Sequence, residues 1–299
     1  DMASSCESRD LSGGQGANSG KDSYVVADNA GSRFVVAATN GAAANRPWLF
    51  LCNEGASPCT SHDVSGAQGA NSGLSPKVVL DNANNKLITV AINGGLFDAL
   101  YAYVCNAADA SGCTAHDISC GSVMASGTSI AAGLTPSSNR LVAVGKTALP
   151  SRNMQVIQCE SDMSGCYRRV IDPVFNTGTE PVLAFSGTDR AIIAATDASN
   201  KLKIYVCSII FDSCTTYVVG NSVLRATSIV VDDAVNKLAV FAVTTSNNAI
   251  QLVCSLGSSL ACTILPVAPL TTTFISAITT PFQRYPRRDP KVFNHRCKV

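Results

Sequence analysis

KVVLDNANNKLITVAINGGLFDALYAYVCNAADASGCTAHDIS, residues 77–119, contains four short runs of β-branched, aliphatic and aromatic residues separated by segments rich in Asn, Gly and Ala. Such runs, bounded by turn-forming residues, are typical of β-strands. The pattern predicts strands at 77–81, 86–92, 100–105 and 114–119. No part of the chain shows a sustained helical period, so we expect very little helix. A four-stranded unit is therefore the basic element of this fold.

Cysteines repeat with the same unit. The second cysteine of each unit lies 53, 54, 53, 48 and 48 residues after the previous one, from Cys6 to Cys262. Five units also have an upstream cysteine across the predicted loop between their third and fourth strands. We expect five hairpin disulfides: Cys52–Cys59, Cys105–Cys113, Cys159–Cys166, Cys207–Cys214 and Cys254–Cys262. Disulfides persist in oxidising compartments, so the protein is predicted to be secreted and extracellular.

Six such units predict an all-β fold, a six-bladed β-propeller of four-stranded blades, each with a hairpin disulfide. In its repeat and turns the whole chain, residues 1–299, is similar to secreted propellers of the sialidase-like or lectin-like kind. The sixth blade needs strands from both termini, because Cys6 opens a fourth-strand equivalent and Cys297 ends a third-strand equivalent. We expect a propeller domain at 1–280 and a C-terminal arm at 281–299 that carries the completing strand.

A turn rich in Asp and Asn is predicted to join the first and second strands of most units. It recurs as Asp28–Gly31, Asn82–Asn85, Ser137–Asn139, Asp197–Asn200 and Asp233–Asn236. On this alignment KLKIYVC, residues 201–207, is the second strand of the fourth unit. That unit is shorter than the earlier ones, which leaves its register open.

The arm 281–299 is proline-rich and basic, with Asp289 as its single acidic residue. Because proline cannot donate to a strand ladder, this segment suits an edge or an extended connector. The arm could close its own ring, or it could donate its strand to the next molecule. Strand donation between molecules would build a head-to-tail filament, locked by a bridge between Cys6 and Cys297.

Our leading hypothesis from the sequence is therefore an extracellular structural protein that self-assembles into a homopolymer. Its predicted interface comprises the arm residues Arg284, Arg287, Arg288, Lys291, Val292 and Phe293, and a loop tip formed by Ile209, Ile210 and Phe211. Three large apolar residues at a loop tip would form an exposed contact patch, unless the loop folds back onto its own blade. Cys120 is left over, either as an unpaired thiol or as a second intermolecular bridge.

The alternative hypothesis is a monomeric module that binds carbohydrate or protein. A Gln-Gly-Ala-Asn-Ser-Gly motif occurs twice in loops that should gather at one face of the ring. The candidate ligand residues in these and one related loop are Gln15, Asn18, Gln68, Asn71 and Asn176. Their amides could bind sugar hydroxyls, although Asn and Gly at these positions also suit tight turns. Thr271, Thr272 and Thr273 are candidate O-glycan acceptors.

A glycosidase-type enzyme is the third hypothesis, but most acidic residues occupy turn positions and no sialidase-type motif occurs. We therefore expect no catalytic residues, no metal site and no cofactor. Charged residues make up only 14% of the chain and the net charge is +1, which does not suggest a nucleic-acid partner. No apolar run approaches the roughly 18 residues that a membrane-spanning helix needs, so no membrane insertion is expected.

Overall fold

In the computed structural model, the described residues are Gln15, 20–53, 59–96, 98–125, 128–148, Pro150, 152–174, 176–187, 190–257 and 260–269. They form five antiparallel sheets, each built from four consecutive strands. The strands are β1 (Lys21–Asp28), β2 (Arg33–Asn40), β3 (Arg46–Asn53), β4 (Thr60–Asp63), β5 (Leu74–Asp81), β6 (Lys86–Asn93), β7 (Ala99–Asn106), β8 (Thr114–Asp117), β9 (Ala131–Leu134), β10 (Leu141–Lys146), β11 (Met154–Cys159), β12 (Tyr167–Asp172), β13 (Thr177–Ser186), β14 (Arg190–Asp197), β15 (Leu202–Ser208), β16 (Cys214–Gly220), β17 (Val223–Asp232), β18 (Lys237–Thr244), β19 (Asn248–Leu256) and β20 (Leu260–Pro269). Within these ranges there is no helix that could cross a membrane.

Each sheet is a meander in which every strand pairs with the next one in the chain. The second sheet, β5 to β8, follows the strand pattern expected for residues 77–119. Its first turn also follows the expected chemistry. The Asn84 amide donates to Asp81 Oδ1 at 3.1 Å, and Asn85 has a φ of 54°. Asn tolerates this left-handed conformation better than most residues, so the sequence sets the register of this hairpin.

The core lies between successive sheets. Successive side chains of a strand point to opposite faces of its sheet. A sheet that lies between two others therefore presents an apolar face to each of them. In the second sheet, Leu87 and Ala91 pack in the cluster shared with the first sheet. Ile88, Val90 and Ile92 pack in the cluster shared with the third sheet. Similar clusters join the third sheet to the fourth and the fourth to the fifth. The sheets therefore stack face to face in chain order, as the blades of a propeller do.

Five blades are seen in the described part of the chain, so the sixth blade stays a prediction. The proposed boundary between a domain at 1–280 and an arm at 281–299 is likewise untested. Several predicted residues lie outside the described ranges: Cys6, Asn18, Thr271, Thr272, Thr273, Arg284, Arg287, Arg288, Lys291, Val292, Phe293 and Cys297.

The fourth sheet corrects the predicted register. Its second strand is β14, and KLKIYVC, residues 201–207, contributes instead to the third strand, β15. The turn Asp197–Asn200 therefore joins the second strand to the third. In this turn Asp197 Oδ1 accepts hydrogen bonds from the amides of Ser199 and Lys201 at 2.8 and 3.1 Å. Asp and Asn form turns at both ends of a blade, so a turn motif alone does not show which hairpin it closes.

Five disulfides close the hairpins between the third and fourth strands, as the cysteine spacing predicts. They are Cys52–Cys59, Cys105–Cys113, Cys159–Cys166, Cys207–Cys214 and Cys254–Cys262. In the fourth and fifth sheets the bonded cysteines are also direct cross-strand partners. Each bridge thus fixes the outermost strand of its blade to the strand beside it.

Replacing Cys207 and Cys214 together with alanine is expected to lower the free energy of unfolding by about 2.5 kcal/mol. The closed loop is short, so the disulfide removes only a modest amount of entropy from the unfolded chain. Denaturant unfolding under non-reducing conditions measures the change, with Thr216→Ala on the same strand as the control. A double variant as stable as that control would contradict a stabilising role for the bridge.

Cys120 requires a second correction, because the prediction that it is unpaired is wrong. It lies in the link between β8 and β9, packs against the core between the second and third sheets, and is disulfide-bonded. Its partner is outside the described residues. Spacing within the repeat identified only the hairpin pairs and could not assign a cysteine in a link between blades. The predicted bridge between Cys6 and Cys297 lies outside the described residues and stays a prediction.

Candidate functional site

The predicted ligand loops lie at the edge of the sheets where second strands end and third strands begin. The loop between β4 and β5 carries Asn71, which has a φ of 59°. Its backbone amide donates to the Ala44 carbonyl at 2.7 Å, and its side-chain oxygen accepts from Asn45 Nδ2 at 2.8 Å. Asn71 thus joins this loop to the β2–β3 turn of the first sheet.

The other predicted ligand residues also make contacts within the protein. Asn93 Nδ2 donates to Gln68 Oε1 at 3.4 Å, and Gln15 Nε2 donates to Ser61 Oγ at 3.0 Å. Lys146 Nζ donates to Asn176 Oδ1. Each of these amides thus contacts a residue of a neighbouring strand, and Asn71 and Asn176 have the positive φ values that suit tight turns. A ligand site at these loops stays a prediction.

At the opposite edge of the sheets, three of the disulfide hairpins each place one buried residue in the groove between two sheets. Ala110, Met163 and Phe211 each lie within such a hairpin, adopt φ values of 53°, 64° and 55°, and are buried. Each packs in the cluster that its own sheet shares with the preceding sheet. We call these three the plug residues, because each closes the end of the groove between two blades.

The plug at Phe211 overturns the predicted contact patch at Ile209, Ile210 and Phe211. Phe211 is only 3% exposed, and the two isoleucines are half-buried. The loop bends onto the third sheet, where Gln158 Nε2 donates to the Ile209 carbonyl at 3.5 Å and Arg169 Nη1 donates to the Phe211 carbonyl at 2.9 Å. Phe211 therefore fills a groove inside the protein, and the three residues do not form the fully exposed tip that the sequence suggested.

The fifth hairpin is built differently. Its two strands continue past the disulfide until Leu256 pairs with Leu260. A cleft of about 420 Å³ opens here between the fourth and fifth sheets, within the range of roughly 300–1,000 Å³ usual for small-molecule sites. It is lined by Arg190, Val206, Cys207, Ser208, Ser213, Thr215, Tyr217, Leu256, Gly257 and Leu260.

Strand register explains why the polar lining residues share one face of the fourth sheet. Arg190 is the cross-strand partner of Ser208, and Ile204 is the partner of Tyr217. Ile204 packs in the core shared with the fifth sheet, so the face that carries Tyr217 looks towards that sheet. The cleft thus combines an apolar floor, several hydroxyl groups, one aromatic ring and one guanidinium.

Asp212 lies beside the cleft, and two lining residues hold its carboxylate. The Ser208 hydroxyl donates to Asp212 Oδ1, and the Ser213 hydroxyl donates to the same atom at 3.2 Å. These hydrogen bonds, that from Ser208 above all, lower the pKa of Asp212 below its usual value. The carboxylate is therefore ionised at neutral pH, and it orients both serine hydroxyls.

A second polar cluster lies among the innermost strands. Lys77 Nζ is 4.8 Å from the centroid of the Tyr24 ring, and Arg225 Nε is 3.8 Å from Glu180 Oε2. Burial lowers the pKa of Lys77 and raises the pKa of Glu180. Because opposite charges compensate each other here, we assign this cluster to holding the blades together. Within the described ranges, no three Asp, Glu, His or Cys side chains form a group that could hold a metal ion.

Sequence reasoning missed the cleft residues Arg190, Thr215 and Tyr217 because nothing in the repeat distinguishes them from the equivalent residues of the other units. One signal could have indicated the site. The segment between Cys254 and Cys262 reads Ser-Leu-Gly-Ser-Ser-Leu-Ala, with leucines placed to continue two strands. The hairpins of the third and fourth units instead have Met163 and Phe211 near the middle of the loop.

The chain matches no protein-family model and no curated protein sequence. Its fold does match solved structures. The lectin BP39L from Burkholderia pseudomallei has a TM-score of 0.61 at 10% identity, covering 84% of this chain and 71% of that one. The fucose-specific lectin from Aleuria aurantia has a TM-score of 0.53 at 14% identity, covering 82% and 77%. A chain of the mitotic checkpoint complex has a TM-score of 0.55 at 12% identity, covering 82% and 67%. These likenesses establish a propeller fold of the kind found in lectins.

Proposed function

We propose that this protein is an extracellular carbohydrate-binding module and that its cleft between the fourth and fifth sheets is a sugar site. The observation that carries the proposal is the lining of that cleft. Ser208, Ser213, Thr215 and Tyr217 supply hydroxyl groups, and Arg190 supplies a guanidinium, above a floor that includes Leu256 and Leu260. Hydroxyl and guanidinium groups of this kind can exchange hydrogen bonds with the hydroxyl groups of a sugar. Lectins among the solved propellers of this fold support the same interpretation.

We favour binding over catalysis because of what the cleft lacks. Glycoside hydrolysis generally uses two carboxylates that flank the scissile bond. No carboxylate is among the described residues that line the cleft. The five disulfides support an extracellular location. The self-assembly hypothesis has lost one of its two predicted interfaces, since Phe211 is buried, and its other interface lies in the arm.

Replacing Tyr217 with alanine is expected to weaken sugar binding at least about tenfold, because the side chain supplies both an aromatic surface and a hydroxyl group. A glycan array with the full chain would identify a ligand, and titration calorimetry would measure its affinity. Val218→Ala is the matched control, since Val218 is the next residue on the same strand and is exposed. If both variants bind as the wild type does, the cleft is not the sugar site.

A further inference from the structure

We propose that the cleft prefers an anionic sugar, whose carboxylate or sulfate group is bound by Arg190. This inference rests on the carbohydrate binding proposed above and adds the chemical class of the ligand. It is carried by a comparison of Arg190 with the basic residues at the same position in other blades.

The second strand begins with a basic residue in four of the five described sheets, and the cross-strand partner of that residue on the first strand is usually an aspartate. The pairs are Arg33 with Asp28, Lys86 with Asp81, Lys237 with Asp232, and Arg190 with Ser186. The fourth sheet thus keeps the cation but replaces the carboxylate with an uncharged hydroxyl group.

The first sheet shows how such a cation is satisfied when a carboxylate and a complete hairpin are present. Arg33 Nε is 2.9 Å from Asp28 Oδ2, and both side chains are almost fully buried. Its Nη1 donates to the Ala108 carbonyl at 2.8 Å, and its Nη2 donates to the Ala107 carbonyl. Both carbonyls belong to the disulfide hairpin of the next sheet. Arg33 is therefore neutralised by its own sheet and held across the groove by the following one.

Arg190 has neither of these partners. Ser186 carries no charge, and the corresponding hairpin of the fifth sheet continues as paired strands to Leu256 and Leu260. Arg190 is exposed, and among the described residues its guanidinium makes no ion pair or side-chain hydrogen bond.

The two described carboxylates near this end of the groove, Asp233 and Asp212, already accept hydrogen bonds from other groups. Asp233 accepts hydrogen bonds from the Ser186 hydroxyl at 2.7 Å and from the Gly187 amide at 2.6 Å. The Asp212 carboxylate accepts from two serine hydroxyls. Among the described residues, therefore, the Arg190 guanidinium at the edge of this sugar-sized cleft has no carboxylate partner. Its planar donor geometry matches a carboxylate or sulfate group.

The test compares sugars that differ in one charged group. Titration calorimetry on the full chain would use methyl glucuronoside against methyl glucoside, and galactose 6-sulfate against galactose. We expect the anionic member of at least one pair to bind about 10- to 100-fold more tightly, as a charged hydrogen-bonded contact allows. Arg190→Gln should abolish that preference, so that the anionic and neutral members of the pair bind the variant within about threefold of each other.

Lys237→Gln is the matched control, because Lys237 holds the equivalent position in the fifth sheet and has an aspartate as its cross-strand partner. It should leave the preference unchanged. Equal binding of anionic and neutral sugars, with no effect of Arg190→Gln, would overturn this inference and leave the sugar site standing. Failure of every sugar to bind, here and on the glycan array, would overturn both proposals. A preference in the glucuronoside pair would indicate a carboxylate ligand, and a preference in the galactose 6-sulfate pair would indicate a sulfate ligand.

Discussion

Replacing Phe211 with alanine is expected to lower the free energy of unfolding by about 3–5 kcal/mol. The side chain is 3% exposed and packs in the cluster between the third and fourth sheets. Its removal would leave a cavity that the hairpin cannot readily collapse into. The loop conformation is fixed by the Cys207–Cys214 bridge and by hydrogen bonds from the third sheet. Denaturant unfolding followed by circular dichroism measures the loss.

The neighbouring residue provides the control for this experiment. Ile210 lies in the same loop but is only half-buried, so Ile210→Ala should cost clearly less. Met163→Ala tests the same role in the third sheet and should resemble Phe211→Ala, because Met163 is 2% exposed in its groove. Equal, small losses for Phe211→Ala and Ile210→Ala would mean that the plug does not close the groove.

Replacing Asp172 with alanine is expected to cost about 3–5 kcal/mol, because it breaks a buried charged network that joins two blades. Asp172 ends β12 in the third sheet and is 6% exposed. Its Oδ2 atom accepts hydrogen bonds from Tyr205 Oη at 2.7 Å and from Lys203 Nζ at 3.1 Å, both in the fourth sheet. Alanine would leave a buried hydroxyl and a poorly solvated ammonium group with fewer partners. Asp162→Ala, at an exposed turn carboxylate, is the control and should cost far less.

The same network predicts how stability depends on pH. Burial alone would raise the pKa of Asp172, but hydrogen bonds from Tyr205, Val174 and Lys203 outweigh it and lower the pKa below its usual value. Folding therefore favours the carboxylate. Its contribution is present above the unfolded-state pKa of about 3.9 and is lost as the pH falls through the lower folded-state value. The free energy of unfolding, measured between pH 6 and pH 2, should fall less steeply with decreasing pH in Asp172→Asn than in the wild type. Parallel curves would contradict this role.

The strands of this fold could be predicted from the sequence because local rules agree with one another. In residues 77–119 the alternation of apolar residues, the Asn-rich turn and the paired cysteines all indicate the same hairpins. The fourth sheet shows where local rules fail. Asp197–Asn200 has the composition of a first turn but closes the second hairpin, and only pairing with neighbouring strands decides between them.

The cleft could not be predicted in the same way. Its presence depends on how far each disulfide hairpin reaches into the groove between its own sheet and the preceding sheet. The sequence shows Ile209–Phe211 as three apolar residues between polar neighbours, and in isolation such a loop resembles an exposed patch. The loop is instead held against another sheet, where Gln158, Tyr167 and Arg169 donate hydrogen bonds to its backbone carbonyls, and Phe211 is buried between the two sheets. Arg190 is similarly hidden from sequence reasoning, since its significance lies in the replacement of an aspartate by Ser186 on the paired strand.

The direction in which the plug residues point has a consequence for synthesis on the ribosome. Met163 closes the groove behind the second blade, and Phe211 closes the groove behind the third, so each blade is sealed only by the blade made after it. The cysteine repeat places these events 48–54 residues apart. At roughly 5–20 residues per second, a newly made blade would expose one apolar face for several seconds before the next hairpin arrives. The hairpin disulfides can form within a single blade during that interval, and so they can hold its outer strands together until the groove is sealed.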